Sequence, residues 1–243
     1  MTDETNDPER IRVMSEEGPS VMVFDVNETL LDIEYLSPVF ERLFGQVWVL
    51  REWFNQVILY SNVMSLTGTY NTFFELARGV LQMLGTIHDV SVRASDIDEL
   101  HARFVTMPAH RDVLPGLQLL AQAGFRLVTF TNSPYDPKNH RLRHAGIAER
   151  FERHFSVDSV RRFKPAAQGY RFVAEELDSE PGSLCMVAAH VWDTIGAQTV
   201  GYSGALVTRP GNAPLLVPRL PQPQIIASDL PGVATAAIGR WRR

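Results

Sequence analysis

Four apolar side chains, Val21-Met22-Val23-Phe24, run without interruption and stop at Asp25. A short unbroken apolar run closed by a polar residue is the pattern of a strand buried on both faces of a parallel sheet. The format recurs. Phe125-Arg126-Leu127-Val128-Thr129-Phe130 stops at Thr131-Asn132-Ser133-Pro134, and residues 184–189 stop at His190-Val191-Trp192-Asp193. Ala205-Leu206-Val207-Thr208 stops at Arg209-Pro210. Between these runs the spacing becomes helical, over residues 113–123 ahead of a capping Gly124 and again over 167–177. Strands alternating with helices predict an α/β fold, a doubly wound, Rossmann-like parallel sheet. Such sheets carry their function at the carboxyl ends of the strands, so the polar stops should converge.

Residues 35–108 break this rhythm. Trp53, Phe54, Val57, Ile58 and Tyr60 recur at helical spacing, as do Phe73, Phe74, Leu76, Ala77, Val80, Leu81 and Leu84. The segment reads as a helical cap domain inserted after the first strand, although the same helices would also serve as an extension of the core. The division is then a flexible tail at 1–19, a core at 20–34 and 109–243, and a cap at 35–108. The proline-rich stretch 210–231 reads as surface coil before a short final helix.

Composition narrows the function classes. With 45% hydrophobic and 21% charged residues, the chain has material for a sizeable core. A net charge of −5 points to neither nucleic acid nor a membrane surface as a partner. The single cysteine, Cys185, cannot form an intrachain disulfide; it sits in an apolar run and reads as core filling, and the cytoplasm is the expected compartment. Residues 1–19 lack the basic start and apolar stretch of a signal peptide, and no apolar run is long enough to span a bilayer.

The polar stops contain reactive types. Asp25 at a strand end is a candidate nucleophile, or equally a helix cap. Thr131-Asn132-Ser133 is an anion-binding loop or a plain turn. Lys164 before Pro165 is a buried cation or a surface lysine ahead of a helix. Asp193 is a partner for that cation or another helix cap.

Taken together and in order, these segments resemble the four motifs of the haloacid dehalogenase superfamily. They are Phe24-Asp25-Val26-Asn27-Glu28-Thr29, Phe130-Thr131-Asn132-Ser133, Lys164-Pro165 with Tyr170, and Ala188-Ala189-His190-Val191-Trp192-Asp193 with Gly196. The resemblance runs from Val21 to about Arg209. It implies that Asp25 attacks the substrate, with Thr29 hydrogen-bonding near it and Lys164 and Asp193 supplying electrostatics and positioning water. It assigns Asn27, Thr131, Asn132, Tyr170, His190 and Trp192 to substrate binding or pocket shape; for Tyr170 and Trp192 plain packing is an equal reading.

Within that superfamily, phosphatases need a second Asp two residues after the nucleophile and further carboxylates for Mg²⁺. Here those positions hold Asn27 and Ala189. Asn27 cannot exchange a proton near neutral pH. The chain therefore resembles the metal-independent L-2-haloacid dehalogenase (type II) branch. That implies no cofactor, a small carboxylate substrate, water as co-substrate, and a homodimer as one use of the apolar cap helices. The sequence departs from that branch at the cap, where its halide-cradling Arg falls at Phe54; Arg51 lies one helical turn away. An aromatic at Phe54 and a histidine at His190 also match an azetidine-2-carboxylate hydrolase of the same family, which opens a C–N bond. A phosphatase using Glu28 or Asp32 as stand-in ligands, or a non-catalytic binding module, are the remaining readings.

Overall fold

The computed structural model describes residues 18–134, 136–138 and 140–242. Most of the segment read as a tail therefore lies outside the described residues. A single sheet of six parallel strands runs in the order β3-β2-β1-β4-β5-β6. The strands are β1 (Val21–Phe24), β2 (Arg126–Thr131), β3 (Arg153–Ser156), β4 (Leu184–Ala188), β5 (Ser203–Val207) and β6 (Ile225–Ala227). β1 is central, paired with β2 in the register Phe24 to Thr129 and with β4 in the register Phe24 to Val187. Asp25, Thr131 and Ala189 are thereby brought to the same carboxyl edge.

Four of these strands follow the apolar runs. The edge strands β3 and β6 do not. Arg153-His154-Phe155-Ser156 is mixed in polarity, because an edge strand is flanked on one side only. Ile225–Ala227 is three residues inside the stretch expected to be coil. Helices α5 (Val113–Gln122), α7 (Ala167–Glu176), α8 (Val191–Thr199) and α9 (Leu230–Trp241) cover the sheet, with a short α6 (His140–His144) after β2. Close packing of α5 on α9 depends on Gly116, where a Cβ would come within 2.6 Å of the Leu230 side chain.

Between β1 and α5 the chain forms α1 (Ser37–Phe44), α2 (Val49–Thr67), α3 (Phe73–Ile87) and α4 (Ala94–Val105). The helical reading of this segment agrees with that. Thr72 and Glu75 form a reciprocal capping box at the start of α3. Trp53, Val57, Ala77, Val80, Leu81 and Leu84 are buried between α2 and α3, and Trp53 Nε1 donates to the Ala77 carbonyl at 2.8 Å. Among the described residues no helix is long and apolar enough to cross a membrane.

Candidate active site

The turn after β1 aims Asp25, Glu28 and Thr29 in different directions. Asp25 is 4% exposed. Its Oδ1 accepts from Lys164 Nζ at 2.9 Å, and its Oδ2 accepts from Thr29 Oγ1 at 2.7 Å. Thr29 Oγ1 in turn accepts the Ala189 N–H at 2.8 Å, which ties the first motif to the fourth. Its carbonyl is held by the buried Arg209, whose Nη1 also reaches Asp112 at 2.8 Å. Glu28 adopts a left-handed backbone, φ 65°, which turns its side chain under the site rather than into solvent.

Lys164 is the hub. Its ammonium has no exposed side-chain surface and donates to Asp25, to Asp193 Oδ2 at 2.6 Å and to the Phe130 carbonyl at 2.9 Å, which uses all three protons. Asp193 Oδ1 accepts from Tyr170 at 2.6 Å. Gly196 makes this possible: a Cβ there would meet Pro165 at 2.5 Å and the Tyr170 hydroxyl at 2.8 Å. Asn132 Oδ1 accepts the Lys164 backbone N–H at 2.9 Å. Lys164 thus joins Asp25, Asn132 and Asp193, while Thr131, at the end of β2, makes no side-chain hydrogen bond to the three. Tyr170, however, is wholly buried behind Asp193 and supports the hub instead of lining a pocket.

A second cation stands beside Asp25. His190 lies between the rings of Phe54, at 5.5 Å, and Trp192, stacked at 5.0 Å. Its Nε2 is 2.7 Å from Glu28 Oε2. Its Nδ1 is buried 3.3 Å from Asp25 Oδ2, without the alignment of a hydrogen bond. Glu28 also receives Arg51 and, at 2.8 Å, Asn212 Nδ2. Arg51 further engages Glu34 and the Pro210 carbonyl, so it is committed to this buried acid rather than facing the nucleophile.

These contacts set the charges. Burial opposes ionisation of Asp25, yet Lys164 and His190 hold its carboxyl well below the usual carboxylate range. Burial would also neutralise Lys164, but Asp193 and Asp25 keep it charged. Asp193 goes the other way: burial and the Asp25 charge push its carboxyl up, and Lys164 offsets this only in part. For His190, burial is outweighed by Asp25 and Glu28, and its value rises from 6.5 to about 9.

The profile of the haloacid dehalogenase-like hydrolases matches residues 19–201. The chain belongs to this family. Among the haloacid dehalogenase-like relatives, it is 26% identical over 195 residues to (S)-2-haloacid dehalogenase 1 of Pseudomonas sp. strain CBS-3, covering 77% of this chain and 83% of that protein. It is 29% identical to the (S)-2-haloacid dehalogenase of Xanthobacter autotrophicus over 77% of this chain and 74% of the other. The fold is similar to the structure of the L-2-haloacid dehalogenase from Xanthobacter autotrophicus with chloropropionic acid covalently bound. The TM-score is 0.80 at 22% identity, over 91% of this chain and 99% of the other. A phosphatase of the superfamily from Thermococcus onnurineus aligns at TM-score 0.57 and 19% identity, so the fold alone does not choose the chemistry.

The donor set of this haloacid dehalogenase-like site does not fit a divalent cation. Asp25 and Asp193 are bridged by an ammonium, Glu28 is saturated by three donors, and positions 27 and 189 offer an amide and a methyl group. Among the described residues no group of three or more His, Cys, Asp or Glu side chains gathers to hold a metal.

Glu28 and Ser133 lie in the motif segments, but the sequence does not assign them the contacts they make, and it does not single out Arg141. Ser133 Oγ accepts from Asn27 Nδ2 at 3.0 Å and from Arg141 Nη1 at 2.7 Å. Arg141 also donates to Asn27 Oδ1, so both polar atoms of Asn27 are spent holding this cluster. Arg141 belongs to the basic run His140-Arg141-Leu142-Arg143-His144, and only the fold decides that Arg141 turns inward while Arg143 points to solvent. Thr131 Oγ1 accepts the Ser133 N–H at 3.1 Å and lines a small cleft with Val26 and Arg141.

The His190 cation makes a pH prediction. A group whose folded value is raised stabilises the fold fully below its unfolded value, and the contribution disappears as pH rises through the folded value. The window is therefore from about 6.5 to about 9. Across it the wild type should lose on the order of 3 kcal/mol more stability than His190→Gln. Thermal denaturation of both proteins from pH 6 to 10 checks this. Parallel curves would mean that His190 is neutral in the folded protein.

Proposed function

We propose that this chain is a metal-independent hydrolase of small 2-substituted carboxylic acids, (S)-2-haloacid dehalogenase-like, working through an ester on Asp25. The observation that carries the reading is a carboxylate kept ionised inside a closed site by an ammonium and an imidazolium. A buried carboxylate whose charge is held by neighbouring side-chain cations is a candidate nucleophile. One Asp25 oxygen attacks C2 of the acid. The new C–O bond forms as the bond to the leaving group breaks, and the electron pair leaves with a halide. Water then adds to the Asp25 carbonyl carbon and the alkyl oxygen departs as the 2-hydroxy acid. Overall one halide and one proton are released, and Asp25 is regenerated. Asp193, wholly buried with both oxygens engaged, acts by fixing Lys164 against the carbonyl oxygen as charge develops on it.

The leaving group is where this chain departs from its relatives, since Phe54 occupies the place expected for a cap arginine. His190 supplies a cation there instead, and a cation favours an anion leaving over an ammonium. The second reading, C–N ring opening of azetidine-2-carboxylate, is supported by the Phe54 ring lying over His190. Purified protein with a metal chelator present, incubated with L-2-chloropropionate and separately with L-azetidine-2-carboxylate, discriminates. Chloride release with formation of the hydroxy acid is expected. Ring opening without chloride release would overturn the halide reading, and turnover only on addition of Mg²⁺ to a phosphate ester would overturn both.

A further inference from the structure

Arg141 is a cation that the chemistry above does not use. It is partly buried, and among the described residues no carboxylate lies within ion-pair distance of it. Neutral acceptors hold it instead: Asn27 Oδ1, Ser133 Oγ at 2.7 Å and the Phe104 carbonyl at 3.3 Å, while its guanidinium lies over the Phe104 ring at 4.2 Å. A guanidinium has five N–H donors, and these contacts use three. Orienting a buried cation with neutral groups, and with no carboxylate paired to it directly, leaves two of its N–H donors open to an anion supplied from outside.

Its position narrows the anion. On one side Arg141 is bonded to Asn27, two residues past Asp25, and the charges of Asp136 and then Asp25 help keep it protonated. Burial alone would lower it; the balance leaves its value at about 10, so it is charged at neutral pH. On the other side Arg141 lines a cleft of about 520 Å³ between α3, α4 and α6, whose walls include Phe74, His101, Phe104, His140 and His144. A volume of that order accommodates far more than a three-carbon acid. Resting on the reading of the site as a hydrolase of 2-substituted acids, we propose that Arg141 is the receptor for the substrate carboxylate, and that the remaining carbon chain lies in the cleft against Phe74 and Phe104. The substrate class is then a 2-substituted carboxylic acid longer than three carbons.

Binding of unreactive acids tests this without turnover, so its failure is separable from failure of the hydrolase reading, which chloride release reports. The intact protein is titrated calorimetrically with hexanoate, propionate, hexanamide and bromide. Wild type should bind hexanoate at least about tenfold more tightly than either hexanamide or propionate, the scale of a charge-assisted hydrogen-bond pair. Arg141→Gln should erase the preference for acid over amide, and Arg141→Lys should restore part of it. Because the wild-type comparison needs no variant, the proposal stays testable even if Arg141→Gln fails to fold. It is overturned if wild type does not distinguish hexanoate from hexanamide, if propionate binds as tightly as hexanoate, or if the charge preference survives in Arg141→Gln. Loss of bromide binding alone in that variant would reassign Arg141 to the halide and overturn it as well.

Discussion

Asp25→Asn abolishes hydrolysis of every substrate the protein turns over, by about 10⁴-fold or more, the scale on which loss of a covalent nucleophile acts. The substitution is nearly isosteric. The amide oxygen can still accept from Thr29, and Lys164 keeps Asp193, so the fold should survive and circular dichroism should be unchanged. What disappears is the charge: the unsolvated carboxylate that Lys164 and His190 hold ionised becomes a neutral amide without nucleophilic power. The partner measurement uses wild type. During turnover in ¹⁸O-labelled water the heavy oxygen should enter the Asp25 side chain, because water attacks the ester carbonyl and one of its oxygens remains on the protein. Mass spectrometry of the peptide containing Asp25 reads this directly. Label found only in the product would mean that water attacks C2 and that Asp25 is a general base; Asp25→Asn retaining turnover would remove it from the chemistry altogether.

Asp25 and Lys164 were legible as candidate site residues because each sits where a simple rule puts function. An unbroken apolar run ends at Asp25 on the central strand, and parallel-sheet topology then brings the ends of β2 and β4 beside it. Thr29, Lys164 and Asp193 follow in order along the chain, so the motif pattern could be matched without coordinates. What the pattern could not give was direction. Sequence reasoning left Lys164 as the only motif-borne cation next to Asp25, yet His190 is a second one. Its charge is set by Asp25 together with Glu28, whose left-handed backbone and inward side chain leave no trace in composition or period. Arg51 was a candidate for the missing cap arginine because it lies one helical turn from Phe54; its commitment to Glu28 and Glu34 depends on how α2 meets the first loop. Arg141 lies in a run where four of five residues are arginine or histidine, two on either side of Leu142, so spacing cannot say which one enters the site. The missed strands fail for a related reason. β3 and β6 are edges, and an edge strand needs neither a two-sided apolar run nor length.

Lys164→Met should cost about 3–5 kcal/mol of stability together with all turnover, because it leaves the buried Asp193 carboxylate without a counter-charge and Asp25 with His190 alone. Both consequences come from the same ammonium, and they can be separated. In the double variant Lys164→Met, Asp193→Asn the stranded charge is removed, so most of the lost stability should return while turnover stays absent. A cycle of the four proteins measured by urea denaturation gives the coupling between the two residues. Acidification should act in the same direction as the second substitution. The Asp193 carboxyl is already pushed up in the wild type by burial and by Asp25, and without Lys164 it rises further. A carboxyl raised above its unfolded value destabilises the fold at higher pH and ceases to do so as pH falls through the raised value. Lys164→Met should therefore recover stability relative to wild type as pH is lowered from neutrality, with no recovery of activity, since a protonated Asp193 cannot replace the positive charge on which the ionised nucleophile depends. Turnover near the wild-type rate in Lys164→Met would show that His190 alone keeps Asp25 ionised, and the hub would then be a structural feature with no part in the chemistry.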